Sequence, residues 1–487
     1  MEAEELLGRV ADWDHGSGHP STRLSVALEA AIADGRVPVG VRLPSERALA
    51  EVLGVSRGTV VRTYARLRDL GAVHTRRGSG TVVGAEQRRP DRASQLAGAL
   101  SSEGSLAFLR ERKADTIDLR AAAWLGNRGL LRAMSNWEPT DLPDVGDSDN
   151  GYWPLGLPAL RRAIAERMTA TGLPSRPEQI IVTNGAQQAL DIALTTVAGP
   201  QDTVILAEVT WPGIQDLLSV RNMRPVTVPL VDGHHVDQLA LLRHLREGRS
   251  AAAYLVPTFD NPTGAVMPAP ARRLVVEAAR EGGTILIDDL TLSELWLDEP
   301  PPPPLGVVFP EAADQVVTVG SLSKLAWGGL RVGWLRAEGP LLERLGQIKT
   351  VVDFGSAIPS QLAALTVMRR LDDLVVDHRA ELVRRRAALT SDLAELLPTW
   401  RFVQPSGGMS VWVDLGGVSG DAFAATAERH GVWVSPARVY HALGQDTGHV
   451  RLTLTHDVET TREAVRRLAR AWDEHLARDR GRRIAIV

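Results

Sequence analysis

Cysteine is absent from the 487 residues. Disulfides and thiolate-bound metals are thereby excluded, and a reducing compartment suits the chain. No apolar run approaches the roughly 20 residues that a membrane-spanning helix needs. The opening Met1-Glu2-Ala3-Glu4-Glu5 is acidic and lacks an apolar core, so no secretory signal is expected there. Internal repeats are lacking as well. These absences together predict a cytoplasmic protein with no membrane partner and no metal site.

What is present is the composition of an ordinary folded protein, 44 % apolar and 23 % charged. At about 100–200 residues per domain, the length predicts about two to four structural units. The net charge of −4 conceals an asymmetry. Between Ser21 and Gly84 ten arginines face five acids, a local excess of +5. Such an excess is the electrostatic footprint of nucleic-acid binding. On charge alone, a solvated arginine-rich surface explains it equally well.

Three regions follow from the patterning. Residues 20–84 predict short helices and a hairpin. Residues 85–115, rich in Arg, Ser, Ala and Gly, predict a linker, with some helix between Gln95 and Leu109. Residues 116–487 alternate apolar β-branched runs with amphipathic stretches. Ile180–Val182, Thr203–Leu206, Ala252–Val256, Thr284–Ile287 and Val316–Val319 are continuous apolar runs, as expected of buried parallel strands in an α/β domain. Pro300 to Pro304 predicts a stiff surface loop. The basic end, Arg478 to Arg483, reads as a loose tail or as a second phosphate contact.

In the first region, Leu24–Ile32 predicts one helix. Ser45 caps a second, whose buried face carries Leu49, Ala50 and Leu53 and which ends at Gly54. Ser56 caps a third, on which Val60, Tyr64 and Leu67 recur at helical spacing. Arg57, Arg62, Arg66 and Arg68 fall largely on other faces. Val73–Thr75, the turn Arg77-Gly78-Ser79-Gly80 and Thr81–Val83 predict a β-hairpin. A free helix N-terminus can meet phosphates, Arg57 can reach guanine, and Thr59 can touch phosphate or a methyl group. The plain alternative is a helical hairpin with a β-tail. The stretches Leu43-Pro44-Ser45-Glu46-Arg47, Gly54-Val55-Ser56-Arg57-Gly58-Thr59-Val60 and Arg77-Gly78-Ser79-Gly80-Thr81 resemble the winged helix-turn-helix of the GntR family. The resemblance implies double-stranded DNA as partner and Arg47, Ser56, Arg57, Thr59, Arg62, Gly78 and Gly80 as contacts. Val61 stands where many relatives carry arginine, with Arg62 one place later, so that contact's identity is open.

In the large region, Ser321-Leu322-Ser323-Lys324 follows an apolar strand, and Arg331 lies seven residues beyond the lysine. Asp288 follows Ile285–Ile287, at the carboxyl end of a strand, where α/β proteins bind ligands. Asn261-Pro262-Thr263-Gly264 follows another such run. Asn184 to Gln188 opens a helix whose N–H groups suit a phosphate. Trp211 can stack on a flat ring. An amine, a carboxylate, phosphate donors and a flat partner are what an aldehyde cofactor with a phosphate requires. Singly, each has an ordinary structural reading as a surface lysine, turn, helix cap or packing residue.

The ordered set resembles fold-type-I aminotransferases over about 370 residues. The resemblance implies pyridoxal 5'-phosphate as cofactor and Lys324 as its Schiff-base lysine. It also implies Asp288 as pyridine partner and Asn261 on the phenolic oxygen. Ala186, Gln187, Ser321, Ser323 and Arg331 fall to the phosphate, and Arg451 to an effector carboxylate. Tyr152 matches a residue that completes a neighbour's site, or is a core aromatic. Leu290 replaces the tyrosine that relatives carry two places after the aspartate. Trp327, in Trp327-Gly328-Gly329, is expected to narrow the effector pocket. Winged helix followed by aminotransferase-like domain resembles the MocR-type regulators. That implies an α+β winged helix-turn-helix, then an α/β transferase fold with a smaller C-terminal α/β subdomain, in a head-to-tail homodimer. The expected function is a DNA-binding regulator that senses an amino compound or pyridoxal phosphate itself. The rival is a working aminotransferase with an inherited DNA module.

Overall fold

The structure, a computed structural model, describes residues 3–10, 13–14, 19–33, 36–37, 41–69, 72–76, 80–83, 115–124, 131–132 and 150–484. The chain divides into two compact units, Met1–Gln95 and Leu96–Val487. Apart from Asp115, the expected linker 85–115 lies outside the described residues, as does the turn Arg77–Ser79.

The first unit contains α1 (Ala3–Arg9), α2 (Pro20–Ala33), α3 (Glu46–Leu53), α4 (Arg57–Asp69) and the antiparallel pair β1 (Val73–Arg76) and β2 (Gly80–Val83). Ser45 sits in extended backbone, and its hydroxyl accepts the Ala48 N–H at 3.2 Å, satisfying a donor that the helix leaves free. Gly54, at φ +65°, closes α3 in the left-handed region that favours glycine. Ser56 accepts the Thr59 N–H at 3.1 Å and starts α4. Val60, Tyr64 and Leu67 then bury against Leu24 and Leu28 of α2 and Leu49 of α3. The Tyr64 hydroxyl donates to the Pro44 carbonyl at 2.9 Å, fixing α4 to the turn before α3. The helix α1 was not foreseen from sequence; its Leu6, with Val10 just beyond, completes this core.

The second unit is built on a seven-stranded sheet. Its order is Ile180–Thr183, Gly333–Arg336, Val316–Ser321, Ile285–Asp289, Ala252–Leu255, Thr203–Ala207, Arg224–Val228. Gly333–Arg336 is antiparallel to both neighbours, and the remaining pairs are parallel. Helices Ala186–Val197 and Pro212–Val220 bury Leu190, Ile214 and Leu218 against Tyr254, Ile287 and Val319. On the other face, Gln238–Arg246 and Ala269–Gly282 bury Leu241, Leu245 and Val275 against Leu255, Leu286 and Val316. Helix cover on both faces is why the strands read as unbroken apolar runs.

The smaller C-terminal subdomain carries a four-stranded antiparallel sheet in the order Arg401–Phe402, Ser410–Asp414, His449–Thr453, Ser435–Pro436. Helices Leu371–Leu396, Gly420–Arg429 and Val458–Ile484 belong to it. Trp400, Phe423 and Trp472 meet edge to face at 5.2–5.5 Å in its core. The terminal helix continues to Ile484 rather than fraying at Arg478, which pairs with Glu474 at 2.9 Å. Among the described residues, no helix is long and apolar enough to cross a membrane.

Leu49 is fully buried at the meeting point of the first unit's core. Leu49→Ala should cost about 2–5 kcal/mol, measured as a lower urea midpoint for that unit by circular dichroism.

Candidate functional site

In the first unit, Arg47, Arg57, Arg62, Arg66 and Arg68 are all exposed, and Ser56 and Arg57 stand at the start of α4. The Arg57 guanidinium reaches Glu46 of α3 at 3.3 Å yet stays 70 % exposed, so the ion pair leaves it open to a stronger anion. Thr59 departs from expectation. It is buried, and its hydroxyl lies 2.9 Å from that of Ser56. With Thr63 one turn on, it belongs to the inward stripe of α4 and supports the helix start. Gly80 opens β2, and Gly78 lies outside the described residues.

In the second unit, the carboxyl ends of the sheet strands surround a cavity of about 170 Å³. Ala186, Gln187, Trp211, Asn261, Ser321, Ser323, Lys324 and Arg331 line it, all eight expected from sequence, with Tyr254, Asp289 and Thr291 added. Lys324 follows the strand Val316–Ser321. Its ammonium donates to the Ala122 carbonyl at 2.5 Å, and the Lys324 carbonyl accepts the Trp124 indole N–H at 2.8 Å. Burial, then the nearby Arg451 charge, pushes the Lys324 ammonium down to about 8.

The carboxylate facing this amine is Asp289, not Asp288. Successive strand residues point to opposite faces. Asp289 lies on the face of Tyr254, whose hydroxyl donates to it at 2.8 Å, while the Thr291 N–H donates to its other oxygen at 2.9 Å. Burial raises the Asp289 carboxyl, against those bonds and the Lys324 charge. Asp288 is fully buried on the far face, where it accepts the Leu305 N–H at 3.0 Å. Burial lifts it to about 7, opposed by the charge of Arg272. Counted from Asp289, the place two residues on is Thr291, a lining residue, and not Leu290, which packs towards the subdomain core.

At the cavity's other end, the helix Ala186–Val197 begins at Gly185 without a side-chain cap. Its first N–H groups and positive dipole end are therefore offered to an anion. The Arg331 guanidinium donates to the Asn184 carbonyl at 2.8 Å and lies so close to Gly185 that a Cβ there would fall 2.5 Å from it. Ser321 and Ser323 hydroxyls stand 3.0 Å apart beside it. The Trp211 indole folds over Gly213, next to Gln187. Trp327 differs from expectation: its indole lies over Gly329 and is not among the residues lining the cavity.

Arg451 is only 4 % exposed. It donates to the Asn261 side-chain oxygen at 2.9 Å and to the Arg120 carbonyl, with Tyr440's ring 5.0 Å away. Tyr152 is not a core aromatic; it is 65 % exposed, edge-on to exposed Phe354. Sequence reasoning missed the segment Asp115–Trp124, which supplies carbonyls to both Lys324 and Arg451. Ile117–Asp118 pairs in parallel with Val432–Trp433, and Arg467 bonds Asp115 at 2.9 Å. The residues fit a phosphorylated pyridine aldehyde: an amine of lowered pKa, an aimed carboxylate, an indole, and an uncapped helix start beside a guanidinium.

Residues 142–468 match the aminotransferase class I and II family, and residues 20–83 match the bacterial regulatory proteins of the gntR family. The chain is 28 % identical to the uncharacterized HTH-type transcriptional regulator YisV of Bacillus subtilis, over 90 % of this chain and 93 % of that one. It is also 28 % identical to the pyridoxine biosynthesis transcriptional regulator PdxR of Corynebacterium glutamicum, over 91 % and 93 %. Among solved structures it resembles LysN, the α-aminoadipate aminotransferase of Thermus thermophilus in complex with N-(5'-phosphopyridoxyl)-L-leucine. That match has a TM-score of 0.70 and 27 % identity, over 79 % of this chain and 97 % of that one.

Two measurements check the site. Asp289→Asn should weaken cofactor retention and shift the visible absorbance band, whereas Asp288→Asn should leave that band in place. In cofactor-free protein only the uncharged Lys324 amine attacks an aldehyde, so the uptake rate should rise with pH and level off above about 8.

Proposed function

For a chain that belongs to the class I and II aminotransferase family and carries a gntR-family module ahead of that domain, we propose the role of a MocR-type transcription regulator that senses a small amino acid. It is a pyridoxal-phosphate-dependent DNA-binding protein. Residues 20–84 read DNA, 85–115 link, and 116–487 bind cofactor and effector in the cytoplasm. Pyridoxal phosphate, when bound, supplies an aldehyde that condenses with amines. Lys324 offers the amine, Asp289 accepts from the pyridine nitrogen, and the Asn261 side-chain amide reaches the phenolic oxygen. Ala186, Gln187, Ser321, Ser323 and Arg331 hold the phosphate, and Trp211 covers the ring.

Arg451 carries the reading of the effector as an amino acid. This buried guanidinium is held by two neutral oxygens, and among the described residues no carboxylate pairs with it. A ligand carboxylate would give it a charge-assisted partner. Such a ligand must take the place of the Arg120 carbonyl, and engagement of the Lys324 amine releases the Ala122 carbonyl. Both carbonyls belong to Asp115–Trp124, which begins at the last residue of the linker. A ligand that binds one seating of this segment better than another can therefore bias the DNA modules. A head-to-tail homodimer is proposed on the resemblance, supported by the exposed pair Tyr152 and Phe354, and would present two modules to two half-sites. The likeness to PdxR favours a second reading in which pyridoxal phosphate alone is the signal.

The deciding experiment is a gel shift on the DNA upstream of the protein's own gene, with and without pyridoxal phosphate and amino acids, alongside the visible spectrum. Specific retardation that an amino acid alters only in cofactor-loaded protein is expected. Arg57→Ala should weaken specific binding by about 1–3 kcal/mol, and Lys324→Ala should remove the visible band. A response to cofactor alone would favour the second reading. Rapid transamination without specific retardation would overturn the regulator reading.

A further inference from the structure

The neighbouring parallel strands Thr203–Ala207 and Ala252–Leu255 carry a second cavity at their carboxyl ends, of about 250 Å³. It exceeds the cofactor cavity, at about 170 Å³. Its walls are mainly apolar: Leu241 and Ala271 come from the two helices on that face, with Leu255, Val266 and Met267. Well-formed apolar cavities with a few convergent polar groups are the usual form of small-molecule sites. Its polar lining groups include Thr210, His235, Gln238 and Thr263, and the one acid among them is Asp260. Its carboxyl accepts the Thr263 hydroxyl at 2.9 Å, and among the described residues no cation is paired with it. Burial raises that carboxyl to about 7. A half-buried carboxyl with no counter-charge at the edge of an apolar space would gain a charge-assisted partner from a cation.

We infer that this cavity binds a small organic cation with an apolar body, its charged head on Asp260 and its body against Leu241, Met267 and Ala271. The site is separate from the cofactor cavity but shares a wall with it. Tyr254 and Val256 line both. The Tyr254 hydroxyl donates to Asp289, so a molecule pressing on Tyr254 acts on the carboxylate beneath the cofactor ring. Occupancy is therefore expected to change the cofactor's absorbance without touching the cofactor. Only this optical readout rests on the proposed cofactor function; binding itself does not.

Hexyltrimethylammonium is a suitable probe, because its quaternary nitrogen cannot condense with an aldehyde. It would be titrated calorimetrically into the cofactor-loaded full-length protein, with hexan-1-ol as the neutral comparator. Saturable binding is expected, at least about tenfold tighter than that of hexanol, with a shift of the visible band. Asp260→Asn, an isosteric change, should reduce affinity for the cation about tenfold and leave hexanol unaffected. Ala271→Trp should fill the space and abolish both; should that variant not fold, Asp260→Asn still decides. Absence of saturable binding, equal affinity for hexanol, or undiminished affinity in Asp260→Asn would each overturn the inference. Saturable binding in a protein that takes up no pyridoxal phosphate would overturn the cofactor reading and leave this site standing.

Discussion

Two adjacent carboxyls end the strand Ile285–Asp289, and strand geometry forbids both from facing the same side. The second unit's chemistry depends on how that constraint is resolved. Asp289 turns towards Lys324 and is fixed by one hydroxyl and one N–H, an arrangement that leaves its charge aimed and partly compensated. Asp288 turns away and meets Leu305 and the charge of Arg272. Arg272 is itself fully buried and donates to the carbonyls of Pro257, Met267, Pro302 and Pro303. The proline run thus does structural work through its carbonyls, anchoring the rear of the sheet while the front carries the site.

The same economy governs the positive groups. Lys324 and Arg331 line one cavity, with Arg451 near enough to act on the amine, and the charges of both arginines add to burial in lowering the Lys324 ammonium. Neutral carbonyls hold each of them: Ala122 for the amine, Asn184 for Arg331, and Arg120 for Arg451. For the two arginines these partners are dipoles rather than carboxylates, whereas Lys324 also feels the charge of Asp289.

Much of this was legible from sequence because the lining residues sit where strands end and helices begin. Ser321, Ser323, Lys324, Asn261 and Trp211 all follow apolar runs, and Ala186 and Gln187 open an amphipathic helix. The face of Asp288 was not legible. A strand covered on both sides shows no alternation, so pattern alone does not separate its faces; only the register with Tyr254, two strand neighbours sharing one hydrogen-bonded ladder, does so. Thr59 was misread because a polar residue type masked its place on the inward stripe with Val60, Thr63 and Tyr64. The segment Asp115–Trp124 carries a strand of only two residues, and its partners lie more than 300 positions away. Local pattern cannot report such pairing.

That last pairing also sets an order of events at birth. The segment's strand partner is Val432–Trp433, and its anchor at Asp115 is Arg467, 352 positions later. Ribosomes add about 5–20 residues per second, and domains fold from the N-terminus as they emerge. Among the described residues, the core of the first unit is closed by side chains no later than Val83. A nascent chain therefore carries a closed, arginine-bearing N-terminal unit for many seconds before Asp115–Trp124 can be seated, so its basic surface is complete well before the cavity that this segment borders.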